Sequence, residues 1–195
     1  MNFTRLFEII EYQQLRYPQK VAAAGLNNGK WQTWTTAQLL AERDQLSAGL
    51  LHLGLIPGDR VGILAHCSSP EWLIADMAML QIGIIPVPIH ATARLDEIEH
   101  ISKDANLRAC FVSDSEMLEK MDAAGIELEF IFSFVCRNAV PDEPEQRSGI
   151  HYWNNLVCEP DEHLKGKIQY YRDGIGEADL ATLIYTSGTT GLPKG

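Results

Sequence analysis

Apolar residues near the start of the chain recur at helical spacing. Phe3, Leu6, Phe7 and Ile10 form one stripe, which predicts a first helix from about Thr4 to Arg16, ended before Pro18. The stretch "KVAAAGLNNGKWQTW" then reads as two short strands around the two-residue turn signal Asn28-Gly29. Thr35 opens a second helix. Gln38, three residues later, completes a capping box, in which each of two residues satisfies the other's free backbone N–H. Leu39, Leu46, Leu50 and Leu53 mark the buried face of this helix, and Gly54 with Pro57 ends it. "GDRVGILAH" is a short apolar strand led by a turn. In "SSPEW" a helix begins, either with Ser68 and Glu71 as a capping box or with Ser69 as the cap and Pro70 in the first helical position. From Trp72 to Ile82 that helix is apolar nearly all round, so it belongs in an interior.

After a turn at Gly83 the periods alternate. "IIPVPI" is extended, "RLDEIEHISKDA" helical, "LRACFVS" a strand, "SEMLEKMDAA" a helix and "LEFIFSF" a strand. Strands separated by single helices need crossover connections. The fold class is therefore α/β, a mostly parallel sheet with crossover helices. Residues 137–149 are polar and proline-bearing, a loop. "HYWNNLV" reads as a short helix, and "CEPDEHLKGKIQYYRDGIGEAD" as a mostly irregular, charged stretch. The apolar run from Leu180 to Tyr185 reads as a strand that delivers the terminal loop.

Composition narrows the classes. The 195 residues are 46% hydrophobic and 22% charged, ordinary for a soluble globular domain with a sizeable core. A formal net charge of -10 speaks against a general nucleic-acid or anionic-lipid binder. The N-terminal stretch lacks the apolar core of a signal peptide, and Glu8 and Glu11 are foreign to transit peptides. Its helix is expected to pack on its own domain, with peripheral membrane contact as the alternative. "WLIADMAMLQIGIIPVPIHA" holds Asp76, Gln81, Gly83, Pro86 and Pro88, so it is no transmembrane segment. Cys67, Cys110, Cys136 and Cys158 lack metal or redox spacing and read as four free thiols in a reducing, cytoplasmic compartment.

The chemistry concentrates in "TSGTTGLPKG", Thr186 to Gly195. Gly188 and Gly191 let the backbone approach a ligand and turn several N–H groups towards one point, an anion nest. Thr186, Ser187, Thr189 and Thr190 add hydroxyl donors, and Lys194 adds a positive charge. The guest that suits this set is a polyphosphate. The loop is not a Walker A motif, G-x-x-x-x-G-K followed by Ser or Thr. Counted from Gly188, the second glycine position holds Pro193, and Lys194 precedes Gly195.

"YTSGTTGLPKG" resembles the signature of the adenylate-forming superfamily of acyl-CoA synthetases, peptide-synthetase adenylation domains and firefly-type luciferases. "TWTTAQLLAERDQLSAGLLHLGLIPGDRVGIL" and "SSPEWLIADMAMLQIGIIPVPI" resemble earlier parts of the same domain, and "DLATLIYTSGTTGLPKG" is most similar to the long-chain acyl-CoA synthetase branch. Residues 137–178 match no pattern of the family. The resemblance implies the N-terminal part, residues 1–195, of an AMP-binding domain in a longer enzyme, with the rest of that domain and a small C-terminal domain beyond Gly195. It implies a two-step ligase that uses ATP, Mg²⁺ and coenzyme A on a carboxylic acid, a fatty acid by branch. Thr186, Ser187, Gly188, Thr189, Thr190, Gly191 and Lys194 are carried over as phosphate contacts, and Thr186 also as a contributor to the metal site. No catalytic acid, base or nucleophile is assigned, and the chain by itself is expected to be inactive.

Other residues carry less. His66 and Cys67 end a strand, where ligands bind in open α/β sheets, but strand neighbours point to opposite faces and make a poor nucleophile pair. His90 has only its position in its favour. Trp31, Trp34, Trp72 and Trp153 read as buried or partly buried packing, and Glu159-Pro160-Asp161-Glu162 as solvated surface. Two competing functions remain: a peptide-synthetase-type adenylation domain that loads a carrier protein, and a short nucleotide-binding protein without catalysis.

Overall fold

A computed structural model describes residues 3–27, 30–66, 69–134, 149–186 and 191–195. A 3-10 turn, Leu6–Glu8, leads into α1 (Ile9–Arg16). The hairpin β1 (Ala23–Asn27) and β2 (Lys30–Trp34) follows, then α2 (Thr36–His52), β3 (Arg60–Ala65), α3 (Pro70–Gln81), β4 (Ile85–His90), α4 (Leu95–Asp104), β5 (Ala109–Val112), α5 (Ser115–Ala123), β6 (Phe130–Ser133), β7 (Ile150–Tyr152), α6 (Trp153–Leu156) and α7 (Glu162–Gly174). They form two compact units. One comprises Met1–Pro57, Ser68–Ile84 and Val157–Ala181, and the other Gly58–Cys67, Ile85–Leu156 and Thr182–Gly195.

The first unit is helical apart from the antiparallel β1–β2 pair, whose register places Asn27 opposite Lys30. The Asn28-Gly29 turn itself lies outside the described residues. Local signals start its helices. Thr35 Oγ1 accepts from the Gln38 N–H at 3.1 Å while Gln38 Oε1 accepts from the Thr35 N–H at 2.8 Å, the reciprocal box that caps α2. For α3, Ser69 is the cap, accepting from Trp72 N–H at 3.2 Å with Pro70 in the first turn. Ser68, the competing cap, lies outside the described residues.

A buried polar network joins α1, α2, α3 and α7. Arg43, 3% exposed, binds Glu11 at 2.8 Å and Asp44 at 2.8 Å. Gln81 donates to Ser47 Oγ at 2.6 Å and to Asp44 at 3.1 Å. Arg172 of α7 donates to Gln81 Oε1 at 2.7 Å and pairs with Glu11 at 2.6 Å. This network corrects the expectation for residues 158–179. A thirteen-residue helix, capped by Asp161 through Leu164 N–H at 2.8 Å, stands where an irregular stretch was expected. Ile168 is its single fully buried residue, so the apolar period is faint and polar contacts hold it in place. Three smaller corrections concern burial. Phe7 and Ile10 are buried but Phe3 and Leu6 are exposed, and Leu53 caps α2 half-buried while Leu51 and Leu55 enter the core. Trp31 is 73% exposed on the outer face of the hairpin strand, whereas Trp34 is buried.

The second unit is the expected parallel sheet, in the order β4-β3-β5-β6-β7. All four residues of β5 and the middle of β3 are buried, as strands covered on both faces require. Leu64, Val87, Ile89, Ile98, Ile101, Val112, Met117 and Met121 form the core between the sheet and α4–α5. "HYWNNLV" divides: residues 150–152 are the edge strand β7, and the helix begins only at Trp153. The run from Leu180 to Tyr185 forms no strand. β4 is an edge strand whose Pro86 and Pro88 lack N–H donors, so no ladder can extend from them. The Pro86 carbonyl alone is used, accepting from Leu183 N–H at 3.2 Å and Thr182 Oγ1 at 2.9 Å.

Candidate phosphate-binding loop

The residues that follow Tyr185 close a loop. Thr186 and Lys194 form an antiparallel bridge, with the N–H of each donating to the carbonyl of the other at 3.0 Å. Residues directly opposed in such a pair project to the same face, with Cβ atoms about 5 Å apart. The side chains of Thr186 and Lys194 therefore project from the same face at the mouth of the loop, and both residues are exposed. Gly191 is exposed with φ 138, a conformation that a side chain would strain. Ser187, Gly188, Thr189 and Thr190 lie outside the described residues.

Two contacts from α4 fix the base of the loop. Tyr185 Oη donates to Asp104 Oδ2 at 2.5 Å, and His100 Nε2 donates to the Pro193 carbonyl at 2.9 Å. Pro193 is buried between the exposed Leu192 and Lys194. Burial, with the bond to Asp104 second, pushes the Tyr185 hydroxyl up to about 12, so it stays protonated and remains a donor. Sequence reasoning missed these anchors. Their only signal is that His100 and Asp104 stand four apart on one face of a helix, next to no other sign of function.

Chemically, a hydroxyl donor and a cation on one face at the mouth of a glycine-bearing loop suit a phosphate oxygen. Thr186 also offers one hard oxygen of the kind magnesium takes. One oxygen fits an ion that arrives on nucleotide phosphates, not a cage built by protein alone.

The remaining candidates are elsewhere. His66 follows β3 and faces Glu116 and Asp114, and Cys67 lies outside the described residues. His90 Nδ1 bonds Thr92 Oγ1 at 2.9 Å, a local contact on the surface. Cys110 and Cys158 are free thiols, and burial pushes Cys110 up to about 12, so it is inert. A polar cleft of about 330 Å³ at the N-terminal ends of β3, β5 and β6 is crossed by Arg108, which pairs with Asp59 at 2.7 Å and Glu129 at 2.6 Å. Among the described residues no helix is long and apolar enough to cross a membrane.

Residues 10–195 match the family model described as AMP-binding enzyme. The chain belongs to this family. Among curated relatives, this AMP-binding chain is 30% identical over 183 residues to the long-chain-fatty-acid–CoA ligase FadD15 of Mycobacterium bovis, covering 91% of this chain and 28% of that protein. It is 27% identical over 167 residues to fatty acyl-CoA synthetase A of Dictyostelium discoideum, covering 85% of this chain and 24% of that one. The AMP-binding chain thus spans about a quarter of the length of these relatives. Its fold is that of the N-terminal part of adenylate-forming enzymes. A fatty acyl-adenylate ligase from L. pneumophila, solved with acyl adenylate and pyrophosphate, aligns with all of it at TM-score 0.68 and 23% identity, over 30% of that chain. The anthranilate CoA ligase AuaEII, solved with anthranoyl-AMP, aligns with 97% of it at TM-score 0.64, also at 23% identity, over 33% of that chain.

Proposed function

We propose that residues 1–195 are the N-terminal part of the AMP-binding domain of a cytoplasmic ATP-dependent acid–thiol ligase, and that its acid is a long-chain fatty acid. The observation that carries this reading is the Thr186–Lys194 bridge, which puts a hydroxyl-bearing and an ammonium-bearing residue on one face at the mouth of the loop "TSGTTGLPKG". The fatty-acid branch is supported by the relatives, which are named as long-chain fatty-acid–CoA ligases.

In the first half-reaction a carboxylate oxygen attacks the α-phosphorus of ATP. The bond from that phosphorus to the bridging oxygen breaks, and pyrophosphate departs with the electron pair. Lys194 and the hydroxyls of Thr186, Ser187, Thr189 and Thr190, with the backbone of Gly188 and Gly191, hold the β- and γ-phosphates. There they oppose the charge that builds on the leaving group. The Thr186 hydroxyl would be this chain's oxygen contact for magnesium brought in with the substrate MgATP, an ion that would screen phosphate charge. His100 and Asp104 act earlier in the chain of cause, by holding the loop's base. In the second half-reaction the coenzyme A thiolate attacks the acyl carbon and AMP leaves. The acyl pocket, the acceptor site and the catalytic residues are assigned to the part of the relatives' length that residues 1–195 do not span.

The complete ligase, given MgATP and hydroxylamine, is expected to trap hydroxamates of aliphatic fatty acids, and to form thioesters with free coenzyme A. Activation restricted to amino acids, with no reaction of free coenzyme A, would favour the carrier-protein reading. Nucleotide binding without any hydroxamate from fatty, aromatic or amino acids would refute adenylation.

A further inference from the structure

The sheet order β4-β3-β5-β6-β7 has a consequence at its other end. The connection from β3 leads to β4 on one side, while β5 and β6 continue on the other. Neighbouring strands β3 and β5 therefore mark the topological switch point, outside whose carboxyl ends open α/β sheets bind ligands. Three side chains with metal-ligating atoms meet there. His66 directly follows β3; Asp114 and Glu116 directly follow β5, in the cap and first turn of α5. His66 Nε2 lies 3.2 Å from Glu116 Oε2 and 3.7 Å from Asp114 Oδ2, and the ligand atoms of all three residues lie within 4.8 Å of one another. Ligands around a tetrahedral cation with bonds of about 2.0–2.1 Å stand ~3.4 Å apart, and the two distances from His66 bracket that spacing.

The trio is also held in place. Asp114 Oδ1 accepts from the Met117 N–H at 3.1 Å, which fixes the carboxylate and leaves Oδ2 towards His66. Ser113 Oγ accepts from the His66 N–H at 3.3 Å and donates to Asp114 Oδ2 at 2.6 Å, tying the two strand ends together. Among the described residues no Lys or Arg pairs with Asp114 or Glu116; their cationic neighbour is the imidazole, and only when it is protonated. A neutral imidazole leaves two carboxylates and a nitrogen lone pair converging on one point.

We propose that His66, Asp114 and Glu116 bind a borderline divalent cation, Zn²⁺ or Co²⁺, at the switch point of the sheet. One imidazole with two carboxylates matches these ions, whereas Mg²⁺ and Ca²⁺ prefer oxygen alone. Three protein ligands leave positions open for water or an anion, and the side chains are 46%, 35% and 74% exposed, so the site is reached from solvent. It is distinct from the phosphate loop, which is anchored on Asp104 ahead of β5, whereas Asp114 follows β5.

The test is titration of the chelator-treated chain with Zn²⁺ by calorimetry and with Co²⁺ by absorption, using wild type, His66→Gln and Glu116→Gln. Asp114 is spared because its loss would uncap α5. The expected result is one ion per chain, with each variant weakened about tenfold or more, since losing a ligand costs at least as much as losing an outer partner. Both variants keep the wild-type circular dichroism, and bound Co²⁺ shows ligand-field bands without thiolate charge transfer. No saturable binding, equal affinity in wild type and both variants, or a thiolate band that disappears in Cys67→Ser would overturn the assignment.

Discussion

Replacing Asp76 by Asn is expected to stabilise the protein, and only above a definite pH. Asp76 lies in α3 among the buried residues Ile74, Ala75, Met77, Ala78 and Met79. It is half-buried and accepts no hydrogen bond from a described residue, and burial pushes its carboxyl up from 3.8 to about 6. Below 3.8 the group is protonated in both states and contributes nothing. Between 3.8 and about 6 the unfolded chain ionises while the folded chain keeps its proton. The native state then binds more protons, so stability falls as pH rises through this window and stays lowered above it. A rise of that size corresponds to a ceiling of about 3 kcal/mol. Water at the half-exposed edge lowers this to about 2 kcal/mol. Asn keeps the shape and removes the charge. Urea unfolding at a series of pH values from 4 to 8 would show the variant about 2 kcal/mol more stable at pH 7 and above, with the gap shrinking to about 0.5 kcal/mol or less at pH 4. A variant that is less stable at neutral pH, or a gap that does not change with pH, would refute the argument that an unpaired buried charge is the cause.

Three further perturbations test the site and its support. Lys194→Ala removes the proposed charge-assisted phosphate contact, worth about 1.5–3 kcal/mol, so ATP–pyrophosphate exchange by the proposed complete ligase should fall by roughly 10- to 150-fold with the circular dichroism unchanged. In Gly62→Ala, the added Cβ would meet Cys110 Sγ at 2.8 Å and Leu107 Cδ1 at 3.0 Å inside the sheet. Overpacking of this kind is expected to cost about 1–3 kcal/mol, read as a lowered urea midpoint. Arg43→Ala strips the buried centre of the network that holds α1 and α7. The loss should be about 2–3 kcal/mol, below the fully buried case because Glu11 and Asp44 can rehydrate. Amide exchange should speed up in α7 before it does in β5.

Local chemistry was enough for much of this fold. Thr35 and Gln38 start α2, Ser69 and Pro70 start α3, and the alternation of short apolar runs with helices implies a parallel sheet, because each of these rests on residues within a few positions of one another. The composition of Thr186 to Gly195 likewise pointed to a phosphate loop, which is the reading proposed above. What tertiary structure decided depends on partners distant in sequence. α7 is a charged stretch with one buried apolar residue, and Arg172 seats it through Gln81 and Glu11. The apolar run before the loop is not a strand because the edge it would join is Pro86 and Pro88. The loop's base is set by His100 and Asp104, more than eighty residues upstream. His66 meets Asp114 and Glu116 only because β3 and β5 become neighbours when β4 takes the opposite side of β3. Periodicity and caps report forces between adjacent turns of one chain segment. The pairing order of strands and the docking of polar helices are determined by burial and hydrogen bonding between segments, which no local window of sequence contains.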